Sequence, residues 1–203
     1  MPRPGKNMSK TKRMLLIYHM FRFNYEVSML ELRNNLKGWS DKTFSRDIAV
    51  LKQAGIPIHF SARRKAFVLV DEAGNVSPKS VHRAPPDFPD GKKERQFIEK
   101  ILRLTTIMSN VPKEDCDVWY SATFPGASKR TMQRDFAALS DVGYKIFYKR
   151  GWDFGPEEDD DPPRHYYFDE EAVYEGDIFS RLDLRDEDEF DKLDLGSAFE
   201  RMR

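Results

Sequence analysis

The chain has 203 residues, 39% of them hydrophobic and 33% charged, which is room for one ordinary domain or two small ones. Fifteen Phe, 8 Tyr and 3 Trp argue against a wholly disordered chain, because disorder goes with few aromatics. The one cysteine, Cys116, excludes an intramolecular disulfide and a multi-thiolate zinc site, and 34 basic residues balance 34 acidic ones.

The first element is a helix in which Met14, Leu15, Ile17, Tyr18 and Phe21 recur at helical spacing behind a basic lead of Lys10, Lys12 and Arg13. The apolar stretch Met14–Met20 contains His19 and is closed by Arg22, far short of the ~20 residues that span a bilayer. It has no small-residue cleavage site, so a soluble, intracellular chain without a membrane partner is expected. A short second helix carries Leu30, Leu32 and Leu36 and stops near Gly38. Ser40 is a suitable N-cap for a third helix, whose Phe44, Ile48 and Leu51 form the i, i+4, i+7 stripe of a buried face. Gly55 ends that helix, and two β-like runs follow, Ile56–Phe60 and Ala66–Val70, joined by a basic tip at Arg63, Arg64 and Lys65. From Asp71 to Gly91 the chain holds Pro78, Pro85, Pro86 and Pro89 and shows no period, which reads as a linker.

The same order then returns. Phe97, Ile98, Ile101, Leu102 and Thr105 mark a first helix, a short second helix is placed near Glu114–Tyr120, and a third runs from Ser128 to Val142 with Met132, Phe136 and Leu139 inward. Strands are predicted at Tyr144–Lys149 and His165–Phe168. The repetition is visible residue by residue. At an offset of 88, Thr43–Ile58 aligns with Thr131–Ile146, with 7 of 16 positions identical, including Arg46/Arg134, Asp47/Asp135 and Gly55/Gly143. Three helices followed by a two-stranded ribbon is the order of a winged helix. The expected fold is therefore mainly α with small β wings (α+β), with winged helix-turn-helix units at 8–70 and 92–170. A Pro-rich linker at 71–91 joins them, and an acidic segment at 171–203 follows.

The zero net charge conceals a strong segregation. Residues 1–83 carry 16 Lys/Arg against 6 Asp/Glu, a net of +10. Residues 84–150 carry 12 against 9, a net of +3, and residues 151–203 carry 6 against 19, a net of −13. A basic first half fits a polyanionic partner, and an acidic end fits a tail or a protein-contact surface.

A helix enters the major groove of DNA with its outward side chains at base edges and phosphates. On the first unit's third helix the outward candidates are Lys42, Thr43, Ser45 and Arg46, with Ala49 small enough to meet a thymine methyl. On the second unit they are Lys129, Arg130, Thr131, Gln133 and Arg134. Arg pairs with guanine and Gln with adenine through two hydrogen bonds. Arg63, Arg64 and Lys65 would meet phosphate or the adjoining minor groove. The plainer possibilities are that these are solvated faces, that Thr43 and Thr131 serve the first helical turn, and that the basic tip protects a sheet edge. Asp47 and Asp135, as acids, suit a structural role that orients a neighbouring Arg or a backbone donor.

The run Ser40-Asp-Lys-Thr-Phe-Ser-Arg-Asp-Ile-Ala-Val-Leu-Lys-Gln-Ala-Gly-Ile-Pro-Ile58, followed by Ala66-Phe-Val-Leu69, resembles the N-terminal winged helix of DeoR-like and WYL-type bacterial transcription regulators. The resemblance covers roughly residues 10–70, is weaker over 92–170, and includes no sensor domain. It implies sequence-specific binding of double-stranded DNA by Lys42, Thr43, Ser45 and Arg46, and a cytoplasmic, nucleoid-associated transcription regulator.

In the second ribbon, Glu157–Asp161 are five consecutive acids where the first unit has Arg63-Arg64-Lys65. The first unit is therefore expected to dominate affinity. The acidic 171–203 segment has three readings: a solvating tail, a helix completing a homodimer, or a docking element for a protein partner or for the basic unit.

His19, His59, His82 and His165 have no ligand spacing, the acidic run lacks the pattern of a calcium loop, and no Gly-rich phosphate loop occurs. No enzyme, metal or cofactor is expected. Two other function classes remain open: an adaptor subunit of a chromosome-condensing complex, and a plasmid or phage replication initiator.

Overall fold

The computed structural model describes residues 8–77, 83–150 and 164–169. The acidic run at 157–161 and the segment at 171–203 lie outside the described residues.

The fold is mixed α+β, with six helices and two small antiparallel sheets among the described residues. In chain order it comprises α1 (Lys10–Phe23), β1 (Val27–Ser28), α2 (Met29–Asn35), α3 (Asp41–Gln53), β2 (Ile58–Ser61) and β3 (Ala66–Leu69). Then come α4 (Lys92–Asn110), α5 (Cys116–Thr123), α6 (Lys129–Ser140), β4 (Ile146–Arg150) and β5 (Arg164–Phe168). Three helices and an antiparallel ribbon thus occur twice.

Local chemistry sets the boundaries. Ser28 and Glu31 form a reciprocal capping box at the start of α2. Both third helices begin at a serine and end at a glycine. Gly55 and Gly143 sit at φ +82° and +89°, the left-handed region that glycine enters without a Cβ penalty. The next residue then closes the helix, Ile56 N–H donating to the Leu51 carbonyl at 3.1 Å and Tyr144 N–H to the Leu139 carbonyl at 3.0 Å. Those closing bonds delay the strands, so β2 starts at Ile58 and β4 at Ile146, two residues later than the apolar runs suggest.

Three features differ from the sequence expectation. Residues 27–28 form a third strand, giving the order β1-β3-β2. Helix α5 starts at Cys116, after Asp115 in the left-handed region at φ +51°. In α2, Leu32 and Leu36 are buried but Leu30 is exposed.

The largest addition concerns α1. Every residue from Arg13 to Phe21 is buried, so no solvent-facing side remains over that stretch. A helix buried on all sides must be covered on all sides. Its own unit supplies α3 and β3, and the second unit supplies α4 and α6. The buried apolar residues of both units form one continuous core. Polar contacts cross the same boundary: Tyr18 Oη and Ser109 Oγ lie 2.5 Å apart, and His19 Nδ1 and Tyr144 Oη 2.8 Å. The Arg22 guanidinium donates to the Met108 carbonyl.

The connecting segment is anchored too. Ala84 N–H donates to the Gly55 carbonyl at 3.0 Å, and Asp87 N–H to the Gln53 carbonyl at 2.8 Å. A Cβ added to Gly55 would lie 2.3 Å from the Ala84 carbonyl oxygen. Gly55→Ala therefore combines a left-handed backbone penalty with a backbone collision, and is expected to lower stability by at least ~1 kcal/mol. Thermal unfolding measures this, and an unchanged melting temperature would show that neither constraint operates.

Candidate nucleic-acid interface

The third helix of each unit is built so that one residue is locked inward while its neighbour is turned out. In α3, Phe44, Ile48 and Leu51 are buried with Asp47, whose carboxylate is 1% exposed. Asp47 accepts two hydrogen bonds from the Arg13 guanidinium on α1, through Nε to Oδ2 and through Nη2 to Oδ1 at 3.1 Å. The same guanidinium lies 3.9 Å from the Trp39 ring centroid, just before the Ser40 cap. This planar, bidentate contact fixes the rotation of α3 about its axis.

The second unit repeats the device. Asp135 on α6 is buried and accepts from Arg103 Nε on α4 at 2.9 Å and from the Tyr120 hydroxyl at 2.8 Å. Burial, and then the bond to Asp135, holds the Tyr120 phenol above its ordinary range. The partner of each Asp is thus a cation on the first helix of its unit, not the adjacent Arg46 or Arg134.

With Asp47 inward, Lys42, Ser45, Arg46 and Ala49 are exposed along one side of α3. Lys42 and Arg46 have no hydrogen-bond or ion-pair partner among the described residues. Thr43 is half-buried. Its N–H donates to Ser40 Oγ at 3.3 Å, and the two hydroxyl oxygens lie 3.0 Å apart, which commits this side chain to the first turn. Asp41, also at that turn, is held below its ordinary carboxylate range by hydrogen bonds from Arg33, so its charge is countered locally.

The matching residues of α6 follow suit. Lys129, Arg130, Gln133 and Arg134 are exposed, while Thr131 is half-buried and its hydroxyl oxygen lies 3.0 Å from that of the Ser128 cap. At the β2–β3 turn, Arg63, Arg64 and Lys65 are exposed, and Lys65 adopts φ +50°. Arg64 is paired with Glu26 at 3.2 Å, a partnership the sequence does not announce. Lys52, which the sequence reading does not include, is exposed seven residues beyond Ser45, a spacing that extends the same stripe.

Burial pushes the Cys116 thiol up to about 12, so it stays protonated and a poor nucleophile. An open cleft of about 640 Å³ beside α4 places Glu99 near Arg103, which is already engaged by Asp135. Among the described residues no helix is long and apolar enough to cross a membrane, and no three His, Cys, Asp or Glu converge as a metal site.

Comparison with family models, with curated proteins and with solved structures yields no match.

Proposed function

We propose that the chain is a tandem winged-helix protein that binds double-stranded DNA sequence-specifically and regulates transcription from the cytoplasm, at the nucleoid. One observation carries this reading: α3 is pinned through Asp47 so that Lys42, Ser45, Arg46 and Lys52 form an exposed, cationic stripe. A helix that reads base edges must have its rotation fixed, and the Arg13–Asp47 pair adds to the packing of Phe44, Ile48 and Leu51 in fixing it. The charge sign agrees, since residues 1–83 carry a net +10. Arg46 and Ser45 are assigned to bases, Lys42, Lys52, Arg63 and Lys65 to phosphate, and Thr43 to holding the first turn.

The two kinds of contact predict different losses. Arg46→Ala is expected to weaken binding to a selected site by ~1–3 kcal/mol and to relax the preference at one base pair. Lys65→Ala is expected to weaken all duplexes alike and to reduce the slope of log affinity against log salt by about one. Titration of both variants against the selected and a scrambled duplex checks this. An Arg46→Ala protein that binds like the parent would remove that residue from the interface.

A second reading, an adaptor that works through protein contacts, is favoured by the exposed Tyr25, Leu30 and Phe60 of the first unit. Retention on duplex DNA at moderate salt separates the two, because an adaptor of this kind would not be retained.

A further inference from the structure

The two units differ at the turn that precedes the third helix. At the offset of 88, Gly38, Trp39 and Ser40 correspond to Gly126, Ala127 and Ser128. In the first unit the Trp39 ring centroid lies 3.9 Å from the Arg13 guanidinium, while Asp47 takes two of its N–H groups. The second unit keeps the equivalent pair, Arg103 and Asp135, but has a methyl group in place of the indole. Among the described residues no aromatic ring covers Arg103 as Trp39 covers Arg13. Its side chain is accordingly 22% exposed, against 6% for Arg13. The open cleft of about 640 Å³ beside α4 is lined by both Arg103 and Ala127, so it lies where the ring is missing.

The chemistry of the lining defines what can fill it. Leu102, Phe124, Pro125 and Ala127 supply apolar surface next to the guanidinium. A guanidinium bonded at its edge to a carboxylate still offers its flat face to a π-system. The charge of Arg103 is countered by Asp135 and that of Glu99 by Arg95 at 3.1 Å, so the cleft favours a neutral ligand. Thr131, also in the lining, is committed to the Ser128 cap. That leaves Glu99, whose carboxylate only accepts hydrogen bonds, and Gln96, whose amide both donates and accepts. An indole edge has one N–H donor and no acceptor. An aminopurine edge has an amine donor beside a ring-nitrogen acceptor, which matches the two side chains.

We infer that this cleft binds a neutral, planar nitrogen heterocycle of the aminopurine class, stacked on Arg103 as Trp39 is stacked on Arg13. The amine of the heterocycle donates to Glu99, and its ring nitrogen accepts from the Gln96 amide. The volume falls within the roughly 300–1,000 Å³ of small-ligand sites, and the openness of the cleft leaves room for a sugar on the ring. The site stands independently of the duplex-binding reading, since none of its argument uses the α3 stripe.

The test is titration of the full chain with adenine, adenosine and indole, followed through the backbone amide resonances of Gly126, Ala127 and Thr131. Adenine or adenosine is expected to shift all three, with a dissociation constant of about 1 mM or lower. Indole should bind at least about threefold more weakly, because it leaves the Gln96 donor unmatched. Ala127→Trp puts the first unit's ring at the matching position and should weaken adenine binding at least about tenfold. Gln96→Ala, at an exposed helix position, should weaken adenine at least about threefold and leave indole unchanged, and it decides the matter if Ala127→Trp does not fold. The inference is overturned if neither adenine nor adenosine shifts these amides at about 5 mM, or if indole binds as tightly as adenine. It is equally overturned by a folded Ala127→Trp protein that binds adenine like the parent, or by a Gln96→Ala protein that does so.

Discussion

Replacing Asp47 by Ala is expected to lower the free energy of unfolding by ~3–5 kcal/mol, because it leaves a buried guanidinium without its counter-charge. The Arg13 side chain is 6% exposed, so water cannot replace the two lost hydrogen bonds. The equivalent change, Asp135→Ala, should be milder at ~1–3 kcal/mol, because the Arg103 side chain is 22% exposed and can be rehydrated. Urea unfolding followed by the fluorescence of Trp39, whose ring lies against Arg13, measures the first directly. Combining Asp47→Leu with Arg13→Met removes both charges together and should recover much of the loss. A loss below ~1 kcal/mol for Asp47→Ala would show that the pair does not hold α3 in place.

The second large effect concerns acid. Burial, reinforced by the nearby Arg22 charge, pushes His19 down to about 4 from its ordinary 6.5. The folded protein keeps this imidazole neutral, where it bonds the Tyr144 hydroxyl across the boundary between the units. The unfolded chain accepts a proton near pH 6.5, and the folded one resists until about pH 4. Unfolding therefore takes up a proton within this window. The contribution of His19 is present in full above pH 6.5 and is lost as the pH falls toward 4, by about 3 kcal/mol in total. Stability measured from pH 7.5 to 4 should fall along this course, and His19→Gln should flatten it. A parent protein equally stable at pH 7 and pH 4.5 would contradict the burial of a neutral imidazole at this junction.

Much of the architecture is written in local signals. Ser40 and Ser128 cap, Gly55 and Gly143 terminate, and the stripes Phe44/Ile48/Leu51 and Met132/Phe136/Leu139 turn inward as their spacing requires. Those signals also determine which way Lys42, Ser45 and Arg46 face. What the pattern omits is long-range. The partner of Asp47 lies 34 residues upstream and that of Asp135 lies 32 residues upstream, separations at which no periodicity operates. The continuous apolar run of α1 carries the information that a second body covers it, but not which one. Likewise β1 has two residues and draws its existence from the unpaired edge of β3, not from any strand propensity of its own. Thr43 shows the opposite case: its side chain type suits DNA and a helix cap alike, and geometry assigns it to the cap.

The proposed docking of duplex DNA on the α3 face is best tested by lysine acetylation of the full chain with and without bound duplex, read out by mass spectrometry. Lys42, Lys52 and Lys65 are exposed in the free protein and should lose reactivity when the duplex is present. If all three react as fast in the complex as in the free chain, the duplex sits elsewhere and α3 is not the reading helix.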